Sequence, residues 1–373
     1  MFSTLAVLLA LFQFVSDATA EARWREADRC IIEGDAAASA EHCSRVIALS
    51  SFSRSWKTWA LVSRSTALID QGRYEAALAD LDLALRLRPN WVYALYGRGY
   101  AYRALGRTDR AIADLDAVLR QDPRHFEALV VRAQALAETG DNRRALRDLD
   151  AALLIDAGDA DAWAWRGFVH ARVGDDQAAI DDFEAALELK QGTFAVLLER
   201  ARAYRRLGRL DDAIRDMDAA LDANPGTPDV LVERGALYVA QGSTARGIAD
   251  YDAALVVAPD HLSGRWFRCS ALIALDRARE AVADCRRAVA LAPKDGLIWA
   301  TLGFAYLSDG APTEAQSAFS EALVLDAGLA RARFGRSLAS AALGKPRSML
   351  DAAAARAQEP DVEERLQRLG YIP

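Results

Sequence analysis

Four cysteines, four histidines and two long rows of opposite charge are the residues in this 373-residue chain whose types could do chemistry. Cys30 and Cys43 are near neighbours in sequence, as are Cys269 and Cys285. No Cys-x-x-Cys occurs and no histidine stands near Cys285, so a zinc site is not expected. In an oxidising compartment an even cysteine count points to two bridges, Cys30–Cys43 and Cys269–Cys285. In a reducing one the same residues would serve as small buried thiols. His42, His125, His170 and His261 are scattered along the chain and read as packing residues. The carboxylates recur at regular intervals, so no isolated acid–base pair stands out. No phosphate loop, nucleophile elbow or metal motif is present. The expectation is no catalytic residue, no metal and no cofactor.

The charge rows carry more information. Arg64, Arg98, Arg132, Arg166, Arg200, Arg234 and Arg268 recur every 34 residues. Asp80, Asp114, Asp148, Asp182, Asp216, Asp250 and Asp284 follow with the same period. Where the arginine becomes Leu302, the aspartate becomes Ala318. Joint loss argues for pairing, with a planar guanidinium fork matched to a carboxylate. The expected internal clamps are Arg98–Asp114, Arg132–Asp148, Arg166–Asp182, Arg200–Asp216 and Arg234–Asp250, with the first and seventh pairs alike. A charged track for a ligand is the other reading of the same rows.

A period of 34 residues demands a repeating element to hold those charges. Glycine recurs at 72, 106, 140, 174, 208, 242, 310 and 344, with Asp276 in the one gap. Counting that residue as position 15, position 8 is small (Ser65, Gly99, Ala133, Gly167, Ala201, Gly235, Cys269, Gly303). Position 20 is alanine or glycine, and position 24 is apolar and mostly large, from Leu81 to Phe319. Small residues let two helices approach, and large ones fill the groove beside them. Glycine at 15 ends the first helix in a left-handed turn. Proline at position 32, as in Pro89 and Pro259, can stop the second. One such hairpin leaves a face bare, so each needs neighbours.

This pattern resembles the tetratricopeptide repeat. Trp299, Leu302, Gly303, Tyr306, Gly310, Ala315, Phe319, Ala322 and Leu323 match it almost position for position. The resemblance implies an all-α, right-handed α-solenoid of tandem 34-residue helix-turn-helix units. Eight units are expected over 58–327, at 58–91, 92–125, 126–159, 160–193, 194–227, 228–261, 262–295 and 296–327. A degenerate hairpin at 21–57 precedes them. A degenerate ninth unit and a capping helix occupy 328–373, with Leu366 and Leu369 turned inward. The resemblance also implies that exported members carry cysteine pairs within one hairpin, as Cys269 at position 8 and Cys285 at position 24 would be.

By the same resemblance the inner wall comes from the first helices, chiefly positions 2, 5, 9 and 12. The implied partner-binding residues are Trp59, Tyr93, Tyr96, Tyr100, Phe168, Trp266, Phe304 and Phe334, with Trp165 alongside and Arg202 and Arg205 as a basic spot. Amphipathic aromatics anchor protein partners well, although each could instead join neighbouring helices. The family's clamp for terminal carboxylates needs Lys at 5 and Asn at 9. This chain has Val62 with Thr66 and Tyr96 with Tyr100, so that kind of receptor is not expected. The related RNA-binding pentatricopeptide arrays favour 35-residue units and basic surfaces. Here the period is 34 and the net charge is −7, which also disfavours nucleic acid.

An apolar run from Leu5 to Val15 precedes Ala18-Thr19-Ala20 and reads as a signal peptide over residues 1–20, cleaved before Glu21. The run is short for a membrane span, and it lacks a preceding Lys or Arg. No other segment could cross a bilayer. The reading is therefore an exported bacterial protein, periplasmic or secreted, that binds protein or peptide segments without catalysis. A cell-wall or glycan binder using the same aromatic wall is the alternative.

Overall fold

The computed structural model describes residues 30, 36–49, 52–190, 193–345 and 348–372. The expected signal peptide and its expected cleavage site lie outside them, as does most of 21–35. The described residues form twenty helices and no strand. After α1 (Ala36–Ala48) the helices pair as hairpins. In order these are α2 (Arg54–Asp70) with α3 (Tyr74–Leu87), α4 (Val92–Ala104) with α5 (Thr108–Gln121), α6 (Phe126–Glu138) with α7 (Asn142–Leu153), and α8 (Ala160–Val173) with α9 (Asp176–Leu189). Next come α10 (Phe194–Arg206) with α11 (Leu210–Ala223), α12 (Pro228–Ala240) with α13 (Thr244–Val257), α14 (Leu262–Ala274) with α15 (Ala278–Leu291), and α16 (Gly296–Ser308) with α17 (Pro312–Leu325). A ninth hairpin joins α18 (Ala330–Ala342) to α19 (Ser348–Gln358), and α20 (Val362–Arg368) follows. The architecture is an all-α solenoid. Two compact parts divide between Leu189 and Lys190.

Each hairpin turns at position 15 for a local reason. At Gly106 the backbone has φ +70°. Its amide bonds to Arg103 O at 2.9 Å, and the Arg107 amide bonds to Tyr102 O at 2.8 Å, which satisfies two carbonyls at the end of α4. Asp276 makes the same turn at φ 58°. A residue with a Cβ pays roughly 1–2 kcal/mol for that conformation. The same hairpin holds the Cys269–Cys285 disulfide.

Inside the hairpins, volume at position 8 trades against volume at position 24. Ala133 faces Leu149 and Ala201 faces Met217, whereas glycine faces each aromatic ring. A Cβ placed on Gly167, Gly235 or Gly303 would lie 2.6 Å from the ring of Phe183, Tyr251 or Phe319 respectively. These rings and leucines are fully or nearly fully buried, so the seam of each hairpin is a continuous core.

Both ends depart from the expected boundaries in detail. The first helix of the first full repeat begins at Arg54, capped by the Ser53 side chain, four residues ahead of the expected unit start at 58. Beyond Gly344 the ninth hairpin is completed by α19, and Arg336 bonds both oxygens of Asp351 at 2.7 and 2.8 Å. In α20 Leu366 is buried as expected, but Leu369 is 45% exposed. Val362 and Tyr371 take the inward positions instead. The helix stops one residue before Leu369, and the turn at Gly370 swings the chain around.

Candidate partner-binding surface

The ladder of arginines fixes the geometry on which the surface is built. Arg98 on α4 donates from Nε and Nη2 to the two oxygens of Asp114 on α5, at 2.7 and 2.8 Å. Its remaining nitrogen, Nη1, donates to Asp82 of the preceding hairpin at 2.8 Å. Arg132 repeats this with Asp148 and Asp116, Arg166 with Asp182 and Asp150, and Arg234 with Asp250 and Asp218. Arg268 joins Asp284 and Asp252 in the same manner. Arg200 bonds both oxygens of Asp216. Arg64 holds Asp80 and reaches Ser44 Oγ on α1 at 3.0 Å. Each aspartate at position 23 is buried, so its charge is compensated inside the hairpin. The hydrogen bond to Asp114 holds the Arg98 guanidinium above the ordinary arginine range, against the opposing effect of burial.

Thus five of these guanidiniums do more than the sequence suggested. Arg98, Arg132, Arg166, Arg234 and Arg268 each close their own hairpin and also tie it to the one before. The partners missed from sequence are the aspartates at position 25. Their signal was present as an Asp-x-Asp pair in five units, for example Asp80-Leu81-Asp82, with Glu184 at that position in the fourth. In the seventh unit position 25 becomes Arg286, and the eighth unit has no arginine at position 7 to receive a carboxylate. Arg286 Nε donates instead to Tyr306 Oη at 2.9 Å.

Both cysteine pairs are bonded. Cys30–Cys43 has S–S 2.07 Å and Cys269–Cys285 has S–S 2.03 Å. Two histidines do structural work at helix starts. His125 Nδ1 accepts from Ala128 N, and His261 Nδ1 accepts from Gly264 N at 3.1 Å. The His261 Nε2 atom lies 2.9 Å from Asp229 Oδ1.

The aromatic residues of the first helices fall into local clusters. In the first part of the chain Trp59 meets Trp91 edge-on at 4.8 Å and Tyr93 at 5.6 Å. Tyr93 remains 37% exposed. Tyr96 stacks on His125 at 5.3 Å, and desolvation pushes its phenol well above the ordinary value. Tyr100 is half-buried. Trp165 contacts Phe168 edge-on, and the Arg103 guanidinium lies 5.6 Å from the Trp165 ring. In the second part Trp266 stacks on Phe267 at 5.3 Å and donates from Nε1 to Thr301 Oγ1 at 3.0 Å. Arg205 is exposed. Arg202 is not a free cation, because it bonds both oxygens of Glu233 and also Glu199.

Two expected surface residues are covered. Phe304 is 0% exposed and Phe334 is 2% exposed. Phe304 sits between Phe319 and Tyr371, with ring centroids at 4.9 and 5.0 Å. Phe334 carries the Arg356 guanidinium at 5.4 Å. Position 9 or 5 of a first helix is open only when nothing else lies on it, and here Tyr371 lies on Phe304 and Arg356 of α19 on Phe334.

The tetratricopeptide repeat family matches residues 63–126, 96–142, 130–193, 198–261 and 232–296. These matches span more than half the chain. The chain belongs to the tetratricopeptide repeat family. Among solved structures, the C-terminal part of a tetratricopeptide repeat protein from Cytophaga hutchinsonii is 16% identical, with TM-score 0.56 over 64% of this chain and 98% of its own. A tetratricopeptide repeat protein from Parabacteroides merdae is 21% identical, with TM-score 0.48 over 66% of this chain and 97% of its own. YrrB, described as a repeat protein with an unusual peptide-binding site, is 18% identical, with TM-score 0.45 over 49% of this chain and 95% of its own. No curated protein matches the chain. The tetratricopeptide fold implies a protein–protein interaction scaffold, and proteins of this family generally work without catalysis. Among the described residues no helix is long and apolar enough to cross a membrane.

Proposed function

We propose that this tetratricopeptide repeat protein is an exported, non-catalytic scaffold that binds segments of partner proteins along its first helices. The observation that carries the reading is the set of partly exposed aromatics held there: Trp59, Tyr93, Tyr96, Tyr100, Trp165 and Phe168 in the first part, and Trp266 in the second. Rigid rings with one apolar face and a polar handle give contact area at little entropic cost. Within each compact part the arginine ladder ties adjacent hairpins together, so the surface there is preformed rather than assembled on binding. Arg205 offers a point for an acidic side chain.

Export rests on two supports. Residues 1–20 read as a cleaved signal peptide, and both cysteine pairs are bonded, as suits an oxidising compartment. The layout proposed with it is a short leading hairpin, eight full repeats over 58–327 and a capped ninth. A net charge of −7 does not suit nucleic acid as a partner.

Cell fractionation followed by pull-down from envelope extract tests the reading. The protein is expected in the envelope or medium, retaining defined proteins that the Tyr93→Ala, Trp165→Ala double variant loses. Retention of glycans alone, or cytosolic residence with reduced cysteines, would contradict it.

A further inference from the structure

The last described segment does not extend the stack of hairpins. It folds back across the first helices of the three hairpins before it. The short helix α20 lies against α18 and α19, with Val362 and Leu366 buried and Arg356 paired to Glu363 at 2.7 Å. Its end is a left-handed turn at Gly370, φ +67°. The Gly370 amide bonds to Gln367 O at 2.8 Å and the Tyr371 amide to Leu366 O at 3.0 Å. That turn sends Tyr371 onto α16 and α14. Its ring lies 5.0 Å from Phe304, and its hydroxyl donates to Ser270 Oγ at 2.9 Å. Gly370 is pressed against α14 so closely that a Cβ there would lie 2.8 Å from Ala274 Cβ.

Ser270 and Phe304 occupy position 9 in successive units. The same position holds Tyr100 and Phe168 in earlier units, where both rings stay partly exposed. In the seventh and eighth units the wall is therefore occupied, and the occupant is a short amphipathic helix, a glycine turn and an aromatic residue. A seven-residue helix has little stability of its own, and Leu369 within the segment faces outward. What holds the segment in place is tethering, which gives it a high effective concentration at the wall.

We infer that residues 360–372 are an internal occupant of a binding groove formed by α14, α16 and α18, and that the groove's external ligand is a partner-protein segment of the same chemistry, a short amphipathic helix closed by a glycine turn and an aromatic side chain. This rests on the reading of the first helices as a protein-binding wall. Release of the segment uncovers Phe304, Ser270 and the Ala274 surface together, and so couples partner binding at this end to displacement of the chain's own residues.

The test uses a fluorescein-labelled peptide of residues 360–373, acetylated and amidated, with full-length protein. Wild type is expected to bind it at least tenfold more weakly than the full-length Gly370→Val, Tyr371→Ala variant, whose own segment cannot seat. A peptide carrying Tyr371→Ala should lose most of that binding. Equal binding by wild type and variant, or no binding by either, would overturn the inference. Should the variant fail to fold, hydrogen exchange in wild type decides the matter. The Gly370 and Tyr371 amides should exchange far faster than buried amides of α14, and faster still with excess peptide. Exchange as slow as that of α14 would make the segment a fixed cap and end the proposal. Crosslinking of partners at Tyr93 in the first part of the chain reports on the wall alone. Intact crosslinks there, with no peptide binding here, would overturn only this inference.

Discussion

Arg98 holds two aspartates of different hairpins at once, Asp114 of its own through Nε and Nη2 and Asp82 of the preceding one through Nη1. The two bonds are not equivalent. Asp114 is buried, while the Asp82 side chain is 42% exposed. Removing one partner of a buried pair strands a charge, whereas an exposed pair is screened by water.

A double-mutant cycle on Arg98→Ala and Asp114→Ala should therefore give a coupling of roughly 0.5–3 kcal/mol in urea unfolding. The cycle with Asp82→Ala should give a smaller one. Zero coupling with Asp114, together with weaker partner binding by Arg98→Ala, would make the row a ligand track. The raised arginine contributes stability throughout the range below the ordinary arginine value and loses it only as the pH climbs past that value. Titration from neutral to pH 11 should leave this contribution unchanged.

Gly167→Ala should destabilise by about 1–3 kcal/mol, because the added methyl meets the Phe183 ring. Adding Phe183→Leu should recover part of the loss, since it recreates the Ala133 and Leu149 combination of the sixth and seventh helices. Thermal melts of the three variants check this. A Gly167→Ala protein as stable as wild type would contradict the volume trade.

Reduction of Cys269–Cys285 should cost roughly 3 kcal/mol on the loop-closure argument. The loss should concentrate in α14 and α15, where Asp276 already adopts a costly turn. Peptide mapping without reduction should recover both bridges and no cross-pairs. Uniform weakening by hydrogen exchange, far from these helices, would contradict a local staple.

Much of this architecture is legible in sequence because its determinants are local and periodic. Gly106 and its equivalents place each turn, and the joint loss at Leu302 and Ala318 pointed to the pairing within a hairpin. The link to the preceding hairpin was missed because position 25 looks like any solvent-facing aspartate on a helix. The recurring Asp-x-Asp pairs, taken with the coincidence of Arg286 and Leu302 in the next unit, would have exposed it. The burial of Phe304 was not legible at all. It depends on Tyr371, which bonds to a residue 101 positions away across a segment outside the repeat. Leu369 was placed inward by helical periodicity, but α20 ends before it and the Gly370 turn breaks the period.

The central claim is that the aromatic wall of the first helices receives partner proteins, and site-specific photo-crosslinking in the native organism tests it most directly. A photoreactive residue would replace Tyr93 on α4 in one strain and Arg147, exposed on the second helix α7, in another. Mass spectrometry should find defined exported proteins joined at Tyr93 and absent at Arg147, with the mature chain beginning at Glu21. Crosslinks of equal yield and identity at both positions, or only cytosolic proteins at Tyr93, would contradict the account.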